Sequence, residues 1–336
     1  MLSVICPIYN EEKYIKQCID SILQQDYPHN DMEILFVDGM STDKTRDVLS
    51  AYLEKYPFIK ILDNPNKTVP WAMNIGIKAS QGETIIRLDG HVVYPNNYFS
   101  VLVKNLKDLG ADNVGALCET LPTGTSVKEL AIAEALSSPF GMGNSYFRIG
   151  CDDVKRVDTV PFGCFNREVF DKVGLYDNEL VRNQDDELNG RIIKKGGKIY
   201  LIPSVVTKYY ARDKVSKVQT MFYQYGLYKP LVNRKLGSPA TVRQFFPLVF
   251  VLGLIFGSIL SCISWKIALM YVSVLALYLL LSFHFTYKSV KKTGNWVLFF
   301  YQPLIYFVVH TSYGWGYLAG IYKIMLHKPF NVKSNR

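Results

Sequence analysis

The feature that most constrains this chain is where its apolar residues lie. From Phe245 onward, PLVFVLGLIFGSILSCIS and WKIALMYVSVLALYLLLSF are nearly free of charge. Each approaches the ~20 residues that a helix needs to cross a ~30 Å hydrocarbon layer. A third stretch, WVLFFYQPLIYFVVHTSYGWGYLAGIYKIML, is longer and interrupted by Pro303 and several glycines. It reads either as one kinked span or as a span plus an interfacial piece. Up to about Pro203 the pattern is that of a soluble α/β protein. With 336 residues, 49% of them hydrophobic, there is room for one soluble domain of ordinary size and an apolar module after it. The expected organisation is a soluble domain over 1–212, a basic amphipathic interfacial helix and linker over 213–243, membrane segments within 244–326 (about 245–263, 265–285 and 296–322) and a basic tail over 327–336.

The net charge of +9 is localised as well. Between Ser204 and Arg243 stand eight basic residues (Lys208, Arg212, Lys214, Lys217, Lys229, Arg234, Lys235, Arg243) against one acid, Asp213. A cluster just ahead of a span favours anionic headgroups and a cytoplasmic position. The adjoining spans argue against nucleic acid as the partner. Lys288, Lys291 and Lys292 place the loop before the third stretch inside too. One further full crossing would carry Lys323, Lys328, Lys333 and Arg336 outside, against the positive-inside trend, so the topology of the third segment stays open. The chain begins with an apolar strand, with no basic n-region or cleavage site, so no signal peptide is expected. The soluble part is then expected in the cytoplasm. No C-x-x-C pair occurs among the six cysteines, and free thiols are expected.

The soluble part alternates strand and helix. Leu2–Pro7, Ile34–Val37, Ile59–Leu62 and Thr84–Leu88 read as strands. Between them, Asn10 caps a helix carrying Ile15, Ile19, Ile22 and Leu23, STDKTRDVLSAYLEKY forms a second, and a third lies near Trp71–Ala79. This order implies a mainly parallel sheet with helices on both faces. YNEE after the first strand, VDGMSTD after the second and RLDGHVVYP after the fourth all fall at the carboxyl edge, where open α/β sheets bind ligands. Three polar clusters on one rim point to a nucleotide-sized ligand. On extended chain, Asp89 and His91 share a side.

SVICPIYNEEKYIKQCIDSILQQDYP, FVDGMSTDKT, the Asn74–Gly76 segment, RLDGHVVYP and NQDDELNGRIIKKGGKIY, in that order and spacing, resemble a family 2 glycosyltransferase of GT-A fold, nearest the bacterial exopolysaccharide branch typified by succinoglycan synthesis. The resemblance covers about residues 1–230. It implies an inverting transfer of a sugar from a nucleotide diphosphate donor, a UDP-sugar in the first instance, to an acceptor hydroxyl. By resemblance Asp89 and His91 hold Mn²⁺ or Mg²⁺, with His91 standing where an acid is usual; a carboxylate and an imidazole suit such a metal. Asp185 falls where the family has its general base. Asp186 and Glu187 stand beside it, and all three acids also suit a helix N-terminus. Pro7, Tyr9, Glu11, Asp38, Asn74 and Asp89 match nucleotide-binding positions, although Asp38 and Asp43 also suit the start of a helix near Thr42. Gly39 replaces the second acid of the VDD motif and Gln184 an acid beside the base. Arg148, Asp186 and Gln224 are candidates for the acceptor side, PFGMGNSYFR reading equally as a flexible loop, and VDTVPFGCF reads as a strand. KVSKVQTMFYQYGLYK has the periodicity of a helix lying on a membrane.

The expected function is transfer to a lipid-linked saccharide, undecaprenyl-diphosphate-linked, at the cytoplasmic face of a bacterial inner membrane. Few spans favour single addition over processive synthesis. A catalytically silent scaffold that keeps the nucleotide-sugar fold is the alternative, motivated by Gly39, His91 and Gln184. A transporter fits poorly, because the spans hold no acid.

Overall fold

The computed structural model describes residues 1–239 and 241–330. Lys333 and Arg336 of the expected basic tail lie outside these. In chain order the elements are β1 (Leu2–Ile8), α1 (Ile15–Leu23), β2 (Met32–Asp38), α2 (Thr45–Leu53), β3 (Ile59–Asp63), α3 (Val69–Ala79), β4 (Thr84–Arg87), α4 (Tyr98–Asp108), β5 (Asn113–Leu121), α5 (Val127–Leu136), α6 (Pro139–Met142), α7 (Tyr146–Ile149), β6 (Lys155–Arg156), β7 (Cys164–Asn166), α8 (Glu168–Val173), α9 (Gln184–Lys194), β8 (Ile199–Tyr210), α10 (Val215–Leu236), α11 (Phe246–Ser261), α12 (Trp265–Thr293) and α13 (Leu298–Met325). They form two compact units, one of Met1–Glu119 with Gly150–Tyr209, the other of Thr120–Ile149 with the chain from Tyr210 onward.

The first unit is built on a mixed sheet of order β3-β2-β1-β4-β7-β5-β8-β6. β1 to β4 are mutually parallel where they pair, Leu2 to Ile8 running in register with Met32 to Asp38. β7 runs antiparallel to both β4 and β5. Every residue of β1 and β2 is buried, which is why LSVICPI and MEILFVD read as almost unbroken apolar runs: a parallel strand is covered on both faces. The helices begin later than their sequences suggest. Asn10 does not cap α1; it sits at φ 54° and its side-chain oxygen accepts from the Thr42 amide at 2.8 Å. α2 starts at Thr45 because Ser41, Thr42 and Asp43 are committed to hydrogen bonds with the β1–α1 loop. Of VDTVPFGCF, only its last two residues enter a strand, since Pro161 and Gly163 interrupt it and Phe162 takes φ 49°.

The second unit begins earlier in the sequence than a boundary at 212. α5 opens with a capping box between Ser126 and Glu129. Its Ala131, Ile132 and Leu136 then join Val218, Met221 and Phe222 of α10 and Ile305, Tyr306 and Val309 of α13 in one apolar cluster. Phe140, in the stretch that reads as a flexible loop, stacks on Phe285 and meets Tyr306 edge-on. Residues 120–149 fold with the C-terminal helices because that is where their apolar side chains find cover.

Two helices in the described residues are long and apolar enough to cross a membrane, Val242–Ser261, which takes in α11, and Trp265–Thr293, which is α12. Large side chains point outward along both, among them Phe246, Val249, Ile259, Trp265, Met270 and Leu280. Exposure on this scale suits hydrocarbon. α13, expected among the membrane segments, has one packed face, on which Gln302, Ile305, Tyr306, Val309, Ser312 and Tyr317 are all buried, and one outward face carrying Phe300, Leu304, Trp315 and Met325. Its apolar run is diluted by glycine, tyrosine and hydroxyl residues. Glycines set the contact with α10. A Cβ on Gly226 would stand 2.0 Å from the Tyr313 oxygen, and one on Gly316 2.1 Å from the Tyr223 oxygen. Gly316 and Gly320, four residues apart, give the small-residue face that lets two backbones touch. The apolar side of α10, expected against a membrane surface, is covered by this helix.

Candidate active site

The β1–α1 and β2–α2 loops are laced together at the carboxyl edge of the sheet. The amide of Glu11 donates to Thr45 Oγ1 at 2.8 Å, that of Glu12 to Asp43 at 3.1 Å and that of Lys44 back to Glu12 at 3.1 Å. Asp38, fully buried at the end of β2, accepts from the Ser41 amide and hydroxyl and pairs with Arg46 Nε at 2.8 Å. Pro7 is buried in β1, and the Tyr9 ring lies 5.8 Å from the Lys67 ammonium. Gly39 has a local reason: a Cβ there would press on Tyr9 Cδ2 at 3.2 Å. Any larger residue at this position requires Tyr9 to give by a few tenths of an ångström.

β4 ends at Arg87, so Asp89 and His91 lie in a turn, not on extended chain, and face different partners. A Cβ on Gly90 would come within 2.7 Å of Ile8 Cγ2, so only glycine lets this turn lie against β1. Tyr94 fastens the turn, its hydroxyl accepting from the Asp89 amide at 2.8 Å. Asp89 takes one Arg87 nitrogen at 3.2 Å. His91 Nδ1 meets Glu11 Oε1 at 3.2 Å, Glu11 being 4% exposed. A carboxylate on Nδ1 fixes the ring and leaves Nε2 for another partner, the usual support of a metal-ligating histidine.

Asp185 arrives from across the unit. It is the second residue of α9, which follows Asn183 in the left-handed region at φ 58°. Arg191 ties the start of this helix down, bonding Glu187 at 2.7 Å and the Leu175 carbonyl at 2.7 Å. Glu187 is thereby spent on structure. Asn74, expected at the nucleotide, uses both amide atoms on the same segment, donating to the Tyr176 carbonyl at 2.8 Å and accepting from its amide at 2.9 Å. Asn189 in turn bridges Asn113 at 2.8 Å and Thr159 at 2.9 Å. So held, Asp185 pairs with Arg87 Nη1.

Arg87 is therefore the junction of the site. It is 5% exposed and bonds Asp185 with one nitrogen and Asp89 with the other. Burial alone lowers its pKa, but the two carboxylates outweigh this and hold it charged. For Asp185 burial is the larger influence and raises the pKa, with Arg87 opposing. The result is a carboxylate poised above its ordinary range, aimed by a fixed cation and still 29% exposed. That is a suitable state for accepting a proton.

The sequence motifs thus resolve into two groups. Asp185, Asp89, His91 and Glu11 gather around one end of the sheet through Arg87 and the His91–Glu11 pair, while Asp38 and Asn74 support the loops. Asp186 lies in the first turn of α9. Arg148 and Gln224 belong to the second unit, Arg148 toward Thr120 at 3.4 Å and Gln224 buried within α10. Arg87 and Tyr94 were not singled out from sequence, although both stand inside RLDGHVVYP. An arginine in an apolar strand just before an acid was the available signal. Among the described residues no three His, Cys, Asp or Glu side chains group around a common point. Asp89 and His91 supply a carboxylate and an imidazole, donor types that suit a divalent ion which takes one or two protein ligands and completes its shell with substrate phosphates.

These features can be set beside known proteins. Over 331 residues, 96% of this chain and 97% of the other, it is 28% identical to the dolichyl N-acetyl-alpha-D-glucosaminyl phosphate 3-beta-D-2,3-diacetamido-2,3-dideoxy-beta-D-glucuronosyltransferase of Methanococcus voltae. It is 29% identical to the succinoglycan biosynthesis protein ExoA of Rhizobium meliloti over 78% of each chain. In fold it resembles the mannosyltransferase PcManGT of Pyrobaculum calidifontis, solved with GDP-Man and Mn²⁺, at a TM-score of 0.59 and 17% identity over 94% of this chain and 87% of that one. The sheet is that of a GT-A fold. Residues 3–174 match the family model for glycosyl transferase family 2, and with half of its length so matched the chain belongs to that family of glycosyltransferases.

Proposed function

We propose that this glycosyltransferase moves a sugar from a nucleotide diphosphate donor to a polyprenyl-phosphate-linked saccharide, with inversion, at the cytoplasmic face of a membrane. The observation that carries the reading is the Arg87 junction, which joins the candidate base Asp185 to Asp89 at the ligand-binding edge of the sheet. The acceptor hydroxyl attacks the anomeric carbon of the donor. Its proton passes to Asp185 as the new C–O bond forms and the bond to the diphosphate breaks on the opposite side, which inverts the carbon. Arg87 keeps the Asp185 carboxylate oriented through this step. Asp89 and His91 would hold a divalent cation, His91 through Nε2 with Glu11 behind it. When bound, that ion neutralises charge on the departing diphosphate.

The acceptor class is supported by the name of the Methanococcus voltae relative, whose substrate is a dolichyl-linked sugar phosphate, and by the apolar helices of the second unit. Undecaprenyl and dolichyl carriers share the polyprenyl phosphate that matters here. The orientation follows from charge. Arg234, Lys235 and Arg243 precede α11, while Lys288, Lys291 and Lys292 stand at the far end of α12. A hairpin of two crossings brings both clusters to one side.

The test is nucleotide diphosphate release from a panel of UDP- and GDP-sugars, using detergent-purified protein with Mn²⁺ or with EDTA. The expected result is metal-dependent release from one donor, reduced ~10³-fold in Asp185→Asn. Release that survives that substitution would remove Asp185 as the base. No release from any donor, even with a membrane lipid extract, would favour the silent scaffold.

A further inference from the structure

Arg87 Nε and the Tyr176 hydroxyl are both buried, and both lack a hydrogen-bond partner among the described residues. They are complementary, since a guanidinium nitrogen can only donate and a phenol oxygen can accept. They also lie close together. Burial raises the Tyr176 pKa, Asp185 adds to that rise, and Arg87 opposes it, as a cation beside the hydroxyl must. Arg87 gives Nη1 to Asp185 and Nη2 to Asp89. One contact on each terminal nitrogen leaves the guanidinium plane free to swing about the line that joins them. A third contact at Nε removes that freedom. Tyr176 is itself well fixed: it is 3% exposed, its ring lies 6.4 Å from that of Phe170, and its amide and carbonyl are both bonded by Asn74. The carbonyl before it, on Leu175, accepts from Arg191 at 2.7 Å. Asn74 belongs to α3, which lies so near β1 that a Cβ on Gly76 would meet Ile5 Cγ2 at 2.5 Å. The tyrosine is therefore tethered to the sheet that carries Arg87.

We infer that Tyr176 is a positioning residue for the transfer: its hydroxyl accepts the Arg87 Nε–H, fixes the guanidinium plane and, through it, aims the Asp185 carboxylate at the acceptor proton. The inference rests on the reading of Asp185 as the base. It also gives Asn74 a route to the chemistry, through the Tyr176 backbone.

The experiment is a double-mutant cycle of Tyr176→Phe and Arg87→Lys in the full chain, read as nucleotide diphosphate release from the donor that it turns over. Tyr176→Phe removes one oxygen and keeps the ring. It is expected to lower kcat ~10-fold and to leave KM for the donor unchanged. In the Arg87→Lys background the same change is expected to lower kcat no further, because an ammonium has no Nε–H for the hydroxyl to hold. An unchanged kcat in Tyr176→Phe, or equal losses in both backgrounds, would overturn the positioning role while Asp185→Asn remains inactive. Release that survives Asp185→Asn would instead overturn the reading of the base. A second measurement does not depend on turnover. In protein carrying isotope-labelled arginine, the Arg87 Nε–H resonance, identified by its absence in Arg87→Lys, is expected to shift in Tyr176→Phe. A resonance that stays in place would overturn the contact even in a protein that consumes no donor.

Discussion

The two units solve the problem of burying polar groups in opposite ways. The first keeps charge inside it: Arg87, Asp38 and Glu187 are buried in ion pairs, and buried Glu11 meets the His91 ring. The second buries neutral polar groups, Ser282, Thr286, Ser289, Gln302 and Ser312, and turns large apolar side chains outward, Phe300 at 81% exposure. Gln302 bonds Ser289 and Tyr306, both at 2.8 Å. The difference is one of solvent. In water, apolar burial offsets the cost of desolvating a few paired charges needed for chemistry. In hydrocarbon, burial of apolar surface gains little, and close backbone packing with neutral hydrogen bonds holds helices together instead.

This contrast can be broken by substitution. The largest effect is expected for Arg87→Met, which leaves two acids facing each other without their cation. A loss of about 3 kcal/mol in stability and ~10²-fold in donor turnover is expected, with partial recovery in Arg87→Lys; unchanged melting and turnover would mean that the junction is incidental. Glu11→Gln leaves the His91 ring less firmly oriented, so half-maximal activity should need ~10–100-fold more Mn²⁺, read from a metal titration of nucleotide diphosphate release. Wild-type metal dependence would detach Glu11 from the site. In the second unit, Gly226→Ala forces the α10 and α13 backbones apart and should cost about 1–3 kcal/mol, seen in detergent unfolding curves; no change would show that the helices separate freely. The smallest effect should come from Leu280→Ser, at a residue 67% exposed. It should weaken retention in alkaline-washed membranes by about 0.5–1 kcal/mol and leave donor release unaltered. A loss of donor release comparable to that of Arg87→Met would mean that Leu280 packs against protein.

Much of this was legible in the chain. The buried strands announce themselves as apolar runs, and the two spans as charge-free ones. The acids at the strand ends identify the rim. What local pattern misrepresented were the places where distant residues compete for the same groups. Asn10 has the chemistry of a helix cap yet serves the Thr42 amide, because that loop lies beside it in space. Asn74 has the chemistry of a ligand contact and also ties down Tyr176, 102 residues away, a bond that no local pattern reports.

Fold class, family motifs and the apolar spans were thus determined by the sequence alone, since periodicity, motif order and hydropathy are properties of neighbouring residues. Tertiary structure decided that residues 120–149 fold with the C-terminal helices, that one face of α13 packs against α10, that His91 leans on Glu11, and that Arg87 joins Asp89 to Asp185. Each of these depends on a contact between residues far apart in the chain. Such contacts are selected by which surfaces can be covered and which charges can be paired once the whole chain has packed.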